Sequence, residues 1–205
     1  MKYLTAKDNF TETIISKSRF LTYVYEIKDA EDALEKLAVL RKKYYDSTHV
    51  CYAYIADVLG NDFKFSDDGE PSGTAGIPIY EAIKNGGYKK TLVVVVRYFG
   101  GIKLGAGGLV RAYNGCATEC LACAKKGEYV SSTIYEISFD IGYYSKINRI
   151  FIEKGKIINQ DFSNIVTITI AFPEGTDITF VKDYTFGQCQ IKELYSEFFD
   201  YKSKS

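Results

Sequence analysis

Between Arg97 and Arg111 the chain places Gly100, Gly101, Gly105, Gly107 and Gly108, with Lys103 among them, directly after the apolar run 92–96. The chemistry this composition suits is anion binding. A strand that ends in glycines and a helix that begins in them leave main-chain N–H groups unpaired and turned the same way, with the positive end of the helix dipole behind them. Arg97, Lys103 and Arg111 add cationic donors to such a nest. A plainer reading uses the same glycines to let helix and sheet approach closely and the chain turn; the residues leave both open. Two named phosphate motifs are excluded. A Walker loop needs a hydroxyl residue after its lysine, and Lys103 is followed by Leu104. A dinucleotide fingerprint needs a glycine where Val110 stands.

Upstream, Ser66, Asp67, Asp68, Gly69, Glu70, Pro71, Ser72, Gly73 and Thr74 form a turn rich in carboxylates. Asp67, Asp68 and Glu70 so close together suit a divalent cation such as magnesium, or a split of acid and base roles. The alternative is a solvated turn whose aspartates bond their own backbone. A hydrolase elbow at Ser72 is excluded, because Glu70 and Thr74 occupy the positions that must be glycine. His49 is the sole histidine. Cys51 shares its strand face but stands too far along for a Cys–His nucleophile pair. An enzymatic reading therefore gathers His49, Asp67, Asp68 and Glu70 around a small phosphorylated compound, whereas the binding reading assigns no catalytic residue and no cofactor. Cys116, Cys120 and Cys123 have the C-x3-C-x2-C spacing of some iron–sulfur enzymes. They lie inside a helical pattern, and cluster ligands need an irregular loop, so they are expected to pack a helix face.

The elements that must position these residues follow from periodicity. Alternation over 18–27 and 49–57 reads as strands, and Asp29 caps a helix over 30–44 whose apolar stripe is Ala33, Leu34, Leu37 and Leu40. Pro78 opens a short helix that Gly86 and Gly87 end in the left-handed conformation. The run 91–99 is long and apolar enough for a central strand covered on both faces. A helix over 107–126 buries Leu109, Ala112, Tyr113, Cys116, Cys120 and Ala124. Polar and small residues at 125–133 mark a boundary. Beyond it, strand, helix, strand, strand, helix and strand follow in the βαββαβ order of the ferredoxin-like unit.

Composition narrows the function. Lysine plus arginine total 26 and aspartate plus glutamate total 26, so no overall field draws the protein to nucleic acid or anionic lipid. The segment 134–205 holds more acidic than basic side chains, which leaves aromatics exposed on its sheet as its remaining means of binding bases. The N-terminus has neither signal-peptide nor transit-peptide character, and no run is long enough for a membrane span. The odd cysteine count argues for reduced thiols and a cytoplasmic setting.

The stretches FSDDGEPSGTAGIPI and VVVVRYFGGIKLGAGGLVRAY, with HVCYAY and SKSRF upstream, closely resemble the signature of the IMPACT/YigZ family. The resemblance implies an α+β protein of two domains. One, over 1–130, is a two-layer α/β domain similar to the fold shared by a ribosomal protein and the fourth domain of elongation factor G. The other, over 134–205, is ferredoxin-like. The acidic turn from Ser66 to Thr74 and the glycine segment from Arg97 to Arg111 match the family motif, as do His49 and Cys51; the three helical cysteines are not a recognised feature of it. No established catalytic activity accompanies the family. Its likeness to translation-factor domains implies RNA, the ribosome or a translation factor as partner. The expectation is a cytosolic, translation-associated binding protein that holds a phosphate group or RNA backbone on its N-terminal domain.

Overall fold

The computed structural model describes residues 1–201; the last four residues of the expected second domain, 202–205, lie outside the described residues. The elements run β1 (Lys2–Ala6), β2 (Asn9–Ile15), β3 (Ser18–Glu26), α1 (Ala30–Lys43), β4 (His49–Ile55), β5 (Phe63–Ser66), α2 (Gly76–Asn85), β6 (Thr91–Tyr98), α3 (Gly105–Cys123), β7 (Lys126–Asp140), α4 (Tyr144–Lys154), β8 (Lys156–Phe162), β9 (Ile165–Pro173), α5 (Phe180–Tyr184) and β10 (Cys189–Asp200). They form two compact units, Tyr3–Gly127 and Met1–Lys2 together with the chain from Glu128 on.

In the first unit the sheet order is β2-β3-β6-β4-β5, with antiparallel neighbours throughout. β6 is central because its alternate residues are apolar on both sides. Val93 and Val95 pack with α2 and α3, while Leu92, Val94 and Val96 pack with α1. The sheet therefore carries helices on both faces, one layer more than the two-layer expectation. The cause is legible in the run of valines, which a strand with one wet face does not need.

The caps explain where the helices lie. Asp29 accepts the Asp32 N–H at 2.9 Å to start α1, with Glu31 and Asp32 in its first turn and Arg41, Lys42 and Lys43 in its last, the order the helix dipole favours. Its buried stripe is Ala33, Leu37 and Leu40; Leu34 is exposed instead. α2 begins at Gly76, ahead of Pro78, and only Gly87 of the glycine pair is left-handed, Gly86 having φ −72. A Cβ at Gly76 would lie 2.8 Å from the Ser66 nitrogen, so this glycine is what lets α2 meet β5. Within 125–133, where a boundary is expected, the two units divide between Gly127 and Glu128, and from Lys126 on the chain is the first half of the long strand β7 rather than a loop.

The second unit has the strand order β10-β7-β9-β8, all antiparallel, the arrangement of a ferredoxin-like unit. Ile137, Phe139, Val166, Ile168, Ile170 and Phe172 face Ile147 and Phe151 of α4 and Val181 of α5. Alternation turns Glu136, Ser138, Thr167 and Thr169 to the other face, where Ser138 and Thr167 hydroxyls meet at 3.0 Å. The rings of Phe139 and Phe172 are enclosed, whereas Phe162 of β8 and Tyr195 of β10 are exposed on the sheet.

Candidate functional site: a cleft at the start of the third helix

β6 delivers Arg97 to the same face of the sheet as Val95, underneath α3. The side chain is 5 % exposed and its guanidinium lies 5.5 Å from the ring centres of both Phe20 and Phe99. Nη1 donates to Glu70 Oε1 at 2.6 Å and Nη2 to Ser18 Oγ at 3.2 Å. Arg97 is thus a neutralised, buried member of the site rather than an arm over the glycines. Burial required a partner: an unpaired guanidinium there would cost several kcal/mol, roughly the desolvation of an ion.

The partner comes from the acidic turn. Glu70 is 8 % exposed; Oε1 also accepts the Tyr113 hydroxyl at 2.7 Å, and Oε2 lies 3.8 Å from His49 Nε2. Cys51 Sγ donates to the Asp67 carbonyl at 2.9 Å and contacts the Tyr113 oxygen at 3.5 Å. Burial, first of all, pushes the Cys51 thiol and the Tyr113 phenol far above their ordinary ranges, so both stay protonated.

The other carboxylates of the turn point elsewhere. Asp67 accepts the N–H groups of Gly73, Ala75 and Gly76 at 2.8–2.9 Å. Burial acts to raise its pKa, but these bonds outweigh burial and hold it below the usual carboxylate range. Asp68 accepts the Val50 N–H at 2.7 Å and Arg41 at 3.1 Å, with its backbone at φ +45, while Ser66 Oγ accepts the Asp68 N–H. His49 Nδ1 meets the Asp68 carbonyl at 2.8 Å, and Thr74 bonds the Pro71 carbonyl. The turn is therefore a folding device held by its own aspartates. Among the described residues no group of three or more His, Cys, Asp or Glu is placed to hold a metal ion. Of His49, Asp67, Asp68 and Glu70, only Glu70 reaches the cleft described next.

The glycine segment divides in two. Gly100 packs against the β2–β3 turn: its N–H goes to Ser18 Oγ at 3.3 Å, and a Cβ there would lie 2.6 Å from the Ser18 nitrogen. Gly101 turns the chain at φ +85. For these two the plainer reading holds, close approach and a sharp bend. Gly105 starts α3 at φ +69, and Gly107 and Gly108 lie in its first turn. No side chain caps α3, and among the described residues no turn, loop or cap bond takes up the amides of Gly105, Ala106 and Gly107. Arg111 leans back over this turn, its Nη1 3.7 Å from the position of a Gly107 Cβ.

Gly105 and Ala106 border a cleft of about 360 Å³ whose walls include Glu70, Arg97, Phe99, Lys103, Leu104 and Leu109. Lys103 is exposed. Sequence reasoning did not find Phe99, Ser18 or Tyr113 as site residues. For Tyr113 a signal exists: a phenol in an otherwise small and apolar helix stripe must find a buried partner. Phe99 and Ser18 carry none, because their roles arise from strand register, which pairs Arg19 with Tyr98. Cys116 and Cys120 are buried in α3, and Cys123 is exposed at its end.

The buried Glu70–Arg97 pair sits where two sequence motifs meet, and both fall inside one family model. The Impact N-terminal domain model matches residues 16–121. The chain belongs to the IMPACT family. It is 36% identical over 201 residues to IMPACT family member YvyE of Bacillus subtilis (strain 168), covering 93% of this chain and 90% of that one. It is 33% identical over 183 residues to IMPACT family member YigZ of Escherichia coli (strain K12), covering 86% and 90%. An IMPACT family member of Thermus thermophilus is 50% identical over 113 residues, 55% of this chain and 60% of that one. A crystal structure described as a hypothetical protein aligns with a TM-score of 0.63 at 31% identity, covering 93% of this chain and 96% of that one. Among the described residues no helix is long and apolar enough to cross a membrane.

Proposed function

We propose that this IMPACT family member is a cytoplasmic, translation-associated binding protein whose first unit holds an anionic group, a phosphate or an RNA backbone, at the mouth of α3. The observation that supports it is the start of that helix: uncapped amides at Gly105 and Ala106 beside the cleft lined by Lys103, with that of Gly107 following in the same turn. Free N–H groups at the positive end of a 19-residue helix are a ready site for negative charge. Because Glu70 offsets Arg97, the cations at this mouth without an ion pair among the described residues are Lys103 and Arg111, and they carry the electrostatic part of the reading. The link to translation draws on family membership and on the likeness of the first domain to translation-factor folds. The metal-assisted alternative draws no support from Asp67, Asp68 and Glu70, whose oxygens are taken up by separate donors.

The test is a titration of the purified protein with inorganic phosphate and with a short RNA at several salt concentrations, comparing wild type with Lys103→Ala and Arg111→Ala. Each substitution is expected to weaken binding several-fold and to flatten the salt dependence by roughly one phosphate contact. Equal binding by all three proteins, or none, overturns the reading.

A further inference from the structure

We propose that the α3 cleft takes a 5′-phosphorylated nucleotide, free or at the end of an RNA strand, with its phosphate on the helix amides and its base against Phe99. The inference rests on the anion-binding reading and adds the ring.

Three observations carry it. The first is size. At about 360 Å³ the cleft lies near the lower end of small-molecule sites, roughly 300–1,000 Å³; that is room for one nucleotide and not for a duplex. The second is the wall. Phe99, Leu104 and Leu109 line the cleft beside the polar mouth of α3, and Phe99 remains 45% exposed while its ring contacts the Arg97 guanidinium. A bare phosphate has no use for an apolar wall, whereas a planar base does, since every base has a face that stacks on an aromatic ring. The third is an unpaired donor. Arg97 lines the cleft, is 5% exposed, and has Nη1 and Nη2 engaged, yet its Nε has no acceptor. A buried donor without a partner is uncommon and costly. Nε itself has under 1 Å² of accessible surface, so a sugar or phosphate oxygen reaches it only when the guanidinium turns toward the cleft, and it would then supply the acceptor that the protein does not.

Phosphate and base together define the ligand chemistry: a phosphate monoester on one side and a stacking ring on the other. A free nucleotide and the 5′ end of an RNA both present it, and the experiment separates them. Wild type, Phe99→Leu, Phe99→Tyr and Lys103→Ala are titrated by calorimetry with inorganic phosphate, adenosine monophosphate, a 5′-phosphorylated trinucleotide and the same trinucleotide with a 5′-hydroxyl. Thermal melts confirm that each variant is folded. The monophosphate is expected to bind wild type about tenfold or more tighter than inorganic phosphate, the increment of one stacked base. Phe99→Leu should remove that increment and leave phosphate binding intact, Phe99→Tyr should keep it, and Lys103→Ala should weaken both. A trinucleotide that binds tighter than the mononucleotide, with its 5′-hydroxyl form weaker, supports the proposal with the RNA end as source; the reverse ranking supports it with the free nucleotide. Equal affinity for phosphate and nucleotide, or no effect of Phe99→Leu, overturns the ring while the anion site stands. Indifference to the 5′-phosphate overturns the nucleotide orientation. Failure of phosphate and nucleotide alike overturns both readings.

Discussion

A guanidinium held between two phenyl rings needs an anion at hand, and at Arg97 Glu70 supplies it. Removing one member of such a pair leaves the other charge buried, so Arg97→Met is expected to cost about 3–5 kcal/mol of stability. Arg97→Met combined with Glu70→Leu should recover part of that loss; urea denaturation of the single and double variants measures it, and strictly additive losses would contradict the pairing. Asp67 gives a pH-dependent counterpart. Its folded-state pKa lies below the unfolded value because Gly73, Ala75 and Gly76 donate to it. Its stabilisation is therefore present above the unfolded pKa, about 3.9, and is lost as pH falls through the folded one. Asp67→Asn should be less stable than wild type at pH 7, with the difference shrinking below about pH 4. A constant difference across that range would show that the carboxylate charge is not what holds the turn.

At the scale of elements, the glycines sort by what surrounds them. Gly100 stands where a Cβ would collide with the backbone of Lys17 and Ser18. Gly100→Ala must push the β2–β3 turn away from the β6–α3 connection, and a loss of more than about 2 kcal/mol is expected, in the range of overpacked sites. Gly115 lies exposed inside α3 with nothing within 4 Å of its would-be Cβ. Gly115→Ala should raise stability by about 0.5–1 kcal/mol through helix propensity alone. Thermal unfolding of the two variants should move in opposite directions; the same sign for both would mean that the approach of turn and connection is looser than described. The helix itself was legible in the spacing of Leu109, Ala112, Tyr113 and Cys116, all buried. β1, β2 and β5 were not. They are short or edge strands, and β2 buries none of its residues fully, so their hydrophobic pattern is too weak to announce them.

For the whole molecule, the cysteines report on folding without perturbing it. Cys51, Cys116 and Cys120 are buried, and burial leads in pushing the Cys116 thiol up to about 11. Cys123 is exposed and Cys189 half-buried. A thiol reagent near pH 8 should label Cys123 first and Cys189 more slowly, with the other three reacting only as the first unit opens. Rapid labelling of Cys116 or Cys120 in the native protein would contradict the packing of α3 on the sheet.

The order of elements in the second unit, the central place of β6 and the family can all be read along the chain, because periodicity and motif are properties of sequence neighbours. The same reading marks Glu70 and Arg97 as functional candidates. That these two form one buried pair, that Asp67 and Asp68 turn away to bond backbone, and that Phe99 walls the cleft emerge only from the folded chain. A carboxylate's partner is set by which strands lie side by side, and residues 27 positions apart meet here only because β6 and β4 are neighbours in the sheet and the acidic turn folds back over them.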